Sequence, residues 1–216
     1  MAMKCCQCEG IEREFNSEDA VSEIEAYREE GPIETTQLLI DALTEQGVDQ
    51  LTLLDIGGGV GAIQHAMLSA GASTATAVEA STAFARAAED EASELGWSEQ
   101  VKVMQGNFVD LAESVPQHDI VTLDRVICCY HDMKSLVGLS AARAAKFYGL
   151  VYPRDVWWNK IAFRFMDLFF WISRSPFRTF IHSDADVKKV LNNEGLKRVF
   201  HKKLFTWQVA LYARTS

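Results

Sequence analysis

The sequence has no surplus of positive charge. Twenty-one Lys and Arg stand against 30 Asp and Glu, a formal net charge of −9, and this argues against a surface that coats nucleic acid, because clustered cations drive phosphate binding. The opening residues, Met1-Ala2-Met3-Lys4-Cys5-Cys6-Gln7-Cys8, have no apolar core of the kind a secretory signal needs, so a cytoplasmic location is expected. Disulfide arithmetic is also missing. The five cysteines are an odd number, bunched as Cys5, Cys6, Cys8 and Cys128, Cys129, a pattern that suits a reducing compartment. No repeat or low-complexity linker interrupts the chain. No run can span a bilayer, since the most apolar stretch, 156–174, carries Lys160, Arg164, Asp167 and Arg174. What remains is a globular chain of 216 residues, 48% apolar and 24% charged, large enough to bury roughly 70% of its unfolded surface without staples.

The stretch from Leu51 to Ala62 organises the rest. Leu51-Thr52-Leu53-Leu54 is an apolar run too short for a helix, Asp55-Ile56 ends it, and Gly57, Gly58, Gly59 and Gly61 lead into the helical composition of Ala62 to Leu68. This reads as strand, tight turn, helix. Glycines let the backbone turn sharply and a ligand come close, while the unpaired N–H groups of the following helix point at whatever sits there. A nucleoside-bearing cofactor suits such a loop. Gly57-x-Gly59-x-x-Ala62 also fits a dinucleotide fingerprint, so the glycines do not choose between cofactors. Asp55 does bear on the choice, because a carboxylate at the strand end attracts an amino group and repels a pyrophosphate.

Asp55, Gly57, Gly59 and Gly61 resemble the first motif of the class I S-adenosylmethionine-dependent methyltransferases, D-x-G-x-G-x-G. The resemblance implies S-adenosyl-L-methionine as cofactor and a Rossmann-like, doubly wound α/β fold. Its seven-stranded sheet would carry helices on both faces and end in an antiparallel hairpin. About twenty residues past the glycines the second strand, Ser73 to Glu79, ends in Glu79-Ala80, where a carboxylate can accept two hydrogen bonds from ribose hydroxyls. The third strand, Val101 to Gly106, opens into Asn107-Phe108-Val109-Asp110-Leu111, similar to the family's G-D-F-x-D-L loop. There Asn107 stands where the family has an acid for the adenine amine, and Phe108 can cover the base. The fourth strand, Asp119 to Asp124, continues into Arg125-Val126-Ile127-Cys128-Cys129-Tyr130-His131. Ligands of doubly wound sheets sit beyond the carboxyl ends of the strands, so this loop is expected to form the reaction floor, with Asp124 and Arg125 orienting cofactor or substrate. The signature of methyltransferases acting on adenine bases or glutamine amides is absent. That points to a small-molecule acceptor, with O-methylation favoured.

Two helical segments, Ile11 to Glu30 and Pro32 to Gln46, precede the first strand and are expected to form a cap over the cofactor within residues 1–50. Residues 51–216 then form the methyltransferase domain. A fifth strand at Lys146 to Tyr152 leads to an apolar helical insertion, 154–176. Twelve of the 22 aromatic residues lie between Phe147 and Phe180. On a helical net the charged residues make one narrow stripe, so the helix should meet apolar material on most sides: substrate, the amino-terminal helices, a second subunit in a homodimer, or a membrane surface. Ser183 to Asp186 reads as the cap of a helix that Gly195 stops, and Leu196 to Phe205 with Trp207 to Arg214 as the closing hairpin.

Within the class, Gly10-Ile11-Glu12-Arg13 and Phe177-Arg178-Thr179-Phe180-Ile181-His182 resemble the magnesium-protoporphyrin O-methyltransferase family. Its His-Tyr-Pro loop is replaced here by Cys128-Cys129-Tyr130-His131. A methyl acceptor that is already ionised needs no base, whereas a phenol or enol would use a neighbour such as His131, Tyr130 or His182. The five cysteines are the low-ranking candidates for a metal or soft-metalloid site, which would need the amino terminus to fold onto the reaction floor. A subunit that binds the cofactor without catalysis is the contrasting reading.

Overall fold

Asn16 divides what the amphipathic spacing predicts as a single first helix. Its side chain accepts from the backbone N–H of Glu18 and Asp19 while the Asp19 carboxylate returns to the Asn16 N–H, a complete capping box. The reciprocal bonds satisfy N–H groups that a continuous helix would pair internally, so a new helix starts here. The structure is a computed structural model describing residues 6–215, with side chains from Glu9 onward. It places α1 at Cys6–Glu14, α2 at Ser17–Glu30 and α3 at Glu34–Thr44.

The strands are β1 (Thr52–Ile56), β2 (Thr74–Glu79), β3 (Val101–Gln105), β4 (His118–Asp124), β5 (Ala144–Pro153), β6 (Leu196–Lys203) and β7 (Trp207–Arg214). They form one sheet in the order β3-β2-β1-β4-β5-β7-β6, with β7 antiparallel to both β5 and β6 and the other pairs parallel. The helices joining them are α4 (Ala62–Ser69), α5 (Thr82–Glu94), the short α6 (Phe108–Leu111), α7 (Met133–Ala141), α8 (Trp157–Ile172) and α9 (Asp184–Asn193). This is the Rossmann-like seven-stranded α/β architecture that the motifs imply.

Side chains alternate across a strand, and here both faces are covered, so adjacent residues enter different cores. Leu53, Ile120, Val151 and Leu211 pack with Leu39 and Leu43 of α3 and Ile63 and Met67 of α4. Their neighbours Leu54, Val121, Leu150 and Tyr212 pack with Leu136 and Val137 of α7 and Val187 and Leu191 of α9. Two buried faces explain why the central strands read as unbroken apolar runs. α3 therefore belongs to the layer beneath the sheet, whereas α1 and α2 reach over the carboxyl ends of the strands. Arg28 of α2 holds the buried Glu91 of α5 at 3.1 Å, the Glu12 carboxylate accepts the Thr82 N–H at 2.9 Å, and Ser81 Oγ donates to the Phe15 carbonyl at 2.6 Å.

Two local expectations are revised. The Ser183 side chain makes no capping bond to α9. Asp184 anchors this end instead, accepting from Tyr152 at 2.6 Å and from Arg198 at 2.8 Å. In α8 the buried residues are Asn159 and Phe170. Asn159 donates to the carbonyls of Arg154 and Thr206 and so pins the helix to the β6–β7 turn. Much of the apolar circumference of α8, including Phe165 at 68% exposure and Trp171 at 67%, is uncovered within this chain.

Candidate active site

Beyond the ends of β1, β2 and β4 lies a cavity of about 530 Å³, in the size range of small-molecule and cofactor sites. Its floor begins at the glycine turn. Gly57 and Gly59 adopt φ of 63° and 58°, a region that other residues enter only with strain. Gly58 is required for a different reason: a Cβ there would lie 2.0 Å from Asp55 Oδ2 and 2.9 Å from Gln64 Nε2. Asp55 is wholly buried directly beneath the turn, accepting from Thr122 Oγ1 at 2.7 Å and Gln64 Nε2 at 3.1 Å. Burial pushes its pKa up to about 6 against the pull of those two donors, with Asp124 adding to the rise. Asp55 thus supports the turn and acts on the cavity through its field.

Glu79 closes the β2 end of the cavity. It accepts the Ser81 N–H at 2.9 Å and is only 8% exposed. Burial raises its pKa to about 7, while backbone N–H groups of Ser81, Ala80 and Gly59 oppose the rise. Asp124 at the end of β4 is likewise raised by burial, opposed by Arg125 and Thr36. Thr36 Oγ1 donates to its Oδ2 at 2.5 Å and Arg125 Nε to its Oδ1 at 3.3 Å. Arg125 has φ of 60°, left-handed backbone of the kind concentrated at ligand sites. Glu23 of α2 also lines the cavity, and burial raises its pKa as well. Four carboxylates with raised proton affinity therefore surround one glycine turn, and Arg125 is the cation beside Asp124. The cavity's base is electrostatically prepared for a ligand that brings positive charge.

Of the residues singled out by sequence, Gly57, Gly58, Gly59, Glu79, Ala80, Asn107, Phe108, Asp124, Arg125, Cys128, Cys129 and Tyr130 all line this cavity. Asn107 Nδ2 lies 3.3 Å from the Tyr130 hydroxyl, and its Oδ1 caps α6. Gly61 is the left-handed residue that starts α4. His131 and His182 are not among the lining residues. His131 stacks on Tyr130 and is exposed. His182 Nε2 lies 2.8 Å from the carbonyl of Ile127 and 2.9 Å from that of Tyr130. Carbonyls only accept, so this nitrogen carries a proton and ties down the loop that follows β4.

The Cys128 and Cys129 sulfurs are 3.8 Å apart. The hydrogen bond with Cys129, together with burial, pushes the Cys128 thiol well above its ordinary value. Cys5 lies outside the described residues, as do the side chains of Cys6 and Cys8. No metal-ligating cluster occurs among the described residues.

The sequence reading missed Glu23 and Thr36, which come from helices far along the chain from the motif. It offered the 154–176 helix as a substrate contact without singling out Phe163 and Met166, and it did not place Phe15, Phe177, Thr179 or Trp207 in the cavity lining. The crowding of aromatics after Phe147 was the only local sign of that lining.

The fold and the glycine cradle define a Rossmann-like methyltransferase. Residues 10–147 match the O-methyltransferase domain family, and the chain belongs to that family: it is an S-adenosylmethionine-dependent methyltransferase. Solved structures similar in fold include magnesium protoporphyrin IX methyltransferase from Synechocystis PCC 6803 with bound SAH. It matches at a TM-score of 0.69 and 18% identity, over 95% of this chain and 98% of that one. The same enzyme with bound SAM gives 0.69 and 16%, over 100% of both. Geranyl diphosphate methyltransferase, in complex with GPP and sinefungin, gives 0.65 and 16%, over 83% of this chain and 76% of the other. No curated protein matches the sequence.

Proposed function

We propose that this enzyme methylates an ionised oxygen, such as a carboxylate, on a small apolar molecule. The observation that carries the reading is one cavity lined both by the carboxylates Glu23, Glu79 and Asp124 with the glycine turn and by aromatic and thioether side chains. The base fits the cofactor: Gly57 and Gly59 line the cavity in left-handed backbone with no side chain of their own, and the surrounding carboxylates hold more negative charge than Arg125 balances. Glu79 would hold the ribose hydroxyls, Asn107 and Phe108 the adenine, and Glu23, Asp124 and Arg125 the amino acid end, with Asp55 supporting the turn from below.

Bound there, S-adenosylmethionine supplies a methyl group that its sulfonium makes electrophilic, open to in-line displacement by the acceptor oxygen. The chain's own contribution is alignment and exclusion of water, and positioning of this kind is worth about 7–11 kcal/mol at best. Phe163, Met166, Phe177 and Trp207 would grip the apolar body of the acceptor, with the Tyr130 hydroxyl offering a hydrogen bond to its polar end. His131 and His182 do not line the cavity, and an acceptor that arrives already deprotonated needs neither of them as a base. We place the reaction in the cytoplasm, which the clustered, odd-numbered cysteines support.

The test is transfer of a labelled methyl group into a metabolite extract, with products identified by mass spectrometry. A labelled methyl ester or ether of an apolar acid supports the proposal. Label on nitrogen, sulfur or arsenic overturns the oxygen assignment, and cofactor binding without transfer to any component reduces the protein to a non-catalytic binding subunit.

A further inference from the structure

α8 is inverted relative to an ordinary surface helix. It buries Asn159 along with Phe170 and turns large apolar side chains outward: Trp157 is 69% exposed, Phe165 68%, Phe169 66%, Trp171 67% and Ile172 66%. Phe205, at the β6–β7 turn, is 77% exposed and stacks against Trp158 of the same helix. An apolar patch of this kind on a protein surface marks an interaction site. No helix among the described residues is long and apolar enough to cross a membrane.

The charge around the patch selects the partner. Residues 154–178, which are α8 with its flanks, hold five Lys and Arg against two Asp, a formal +3 in a chain of net charge −9. Lys160, which also pairs with Asp155, and Arg164 are exposed on α8, the exposed Arg174 follows its end, and the exposed Lys202 and Lys203 precede Phe205. A second copy of the chain docked through a two-fold axis would set this cationic segment against itself. A bilayer bearing anionic headgroups would meet it with opposite charge while taking up the aromatic side chains at the headgroup boundary.

We propose that the outer face of α8, together with Phe205, docks on an anionic lipid surface. The same helix turns Phe163 and Met166 into the cavity, so a docked enzyme has its apolar chamber separated from lipid by one helix. Docking does not depend on which acceptor is methylated, and the test below is independent of the methyl-transfer assay.

The full-length protein is sedimented with vesicles of phosphatidylcholine alone and of phosphatidylcholine mixed with phosphatidylglycerol. Partition should be at least about tenfold stronger with the anionic vesicles and should fall as salt is raised. The combined substitution Trp157→Ser, Phe165→Ser and Trp171→Ser alters exposed side chains only. It should lower partition about tenfold or more while leaving S-adenosylmethionine affinity and melting temperature unchanged. The proposal is overturned if neither vesicle binds, if charge and salt make no difference to the wild type, or if light scattering finds a dimer that the triple substitution dissociates.

Discussion

Replacing Glu79 by Gln separates what this carboxylate does to the fold from what it does for the ligand. In the ligand-free protein burial moves its pKa from an ordinary 4.5 to about 7. At 1.36 kcal/mol for each tenfold change in proton affinity, that displacement opposes folding by about 3 kcal/mol wherever the group is ionised. The native state holds its proton more tightly than the unfolded chain does. This contribution therefore makes the wild type gain stability as pH falls through 7 toward 4.5, and lose it again as pH rises. Asp55, raised to about 6, acts in the same direction. Glu79→Gln should be more stable than wild type near pH 8 by up to about 3 kcal/mol, with the advantage vanishing toward pH 5. Its S-adenosylmethionine affinity should drop about 10- to 100-fold through loss of charge-assisted hydrogen bonds. Urea denaturation across this pH range, with calorimetric titration of the cofactor, measures both. A variant no more stable than wild type at pH 8, or one with unchanged cofactor affinity, would refute the reasoning.

Gly58→Ala places a methyl group 2.0 Å from Asp55 Oδ2 and should displace the buried carboxylate. A stability loss of about 2–4 kcal/mol and cofactor binding weakened more than tenfold are expected from thermal melts and calorimetry. Gly10→Ala brings a Cβ to 2.8 Å from both Cα and N of Phe177, and should raise the KM for both substrates with a destabilisation of about 1–3 kcal/mol. His182→Ala removes the donor to the Ile127 and Tyr130 carbonyls. It should lower kcat without removing a limb from the pH–rate profile; disappearance of a limb would identify His182 as a base.

The strands and the glycine turn were legible because buried parallel strands leave apolar runs and a tight turn leaves glycines. Both are marks that sit next to each other in sequence. Glu79, Asn107, Asp124 and Arg125 were legible for a related reason, since each lies at or just past the end of a strand whose position was already read. Thr36 and Glu23 carry no local mark: each is a polar residue of a helix, and only the packing of that helix over the sheet aims it at the cavity. α7 went unread because its nine residues include Gly138 and two serines and show little periodic contrast. For α8 the polar stripe was visible, but which face turns inward was not. That is decided by the hydrogen bonds of Asn159 to Arg154 and Thr206, the last 47 residues further along the chain. Asn16 did announce a new helix, yet the apolar spacing on either side of it ran on almost without a break.

The amino-terminal helix and the segment that follows α8 both line the cavity and are fastened to each other. Arg13 of α1 donates to the carbonyl of Arg174 at 3.0 Å, Gly10 lies against the backbone of Phe177, and the Phe15 ring meets both Phe84 and Phe177 edge-on. The amino-terminal helix cannot swing away without tugging on the segment that follows α8. Admission of one ligand therefore alters the doorway of the other, and steady-state kinetics should follow a compulsory order in place of random encounter.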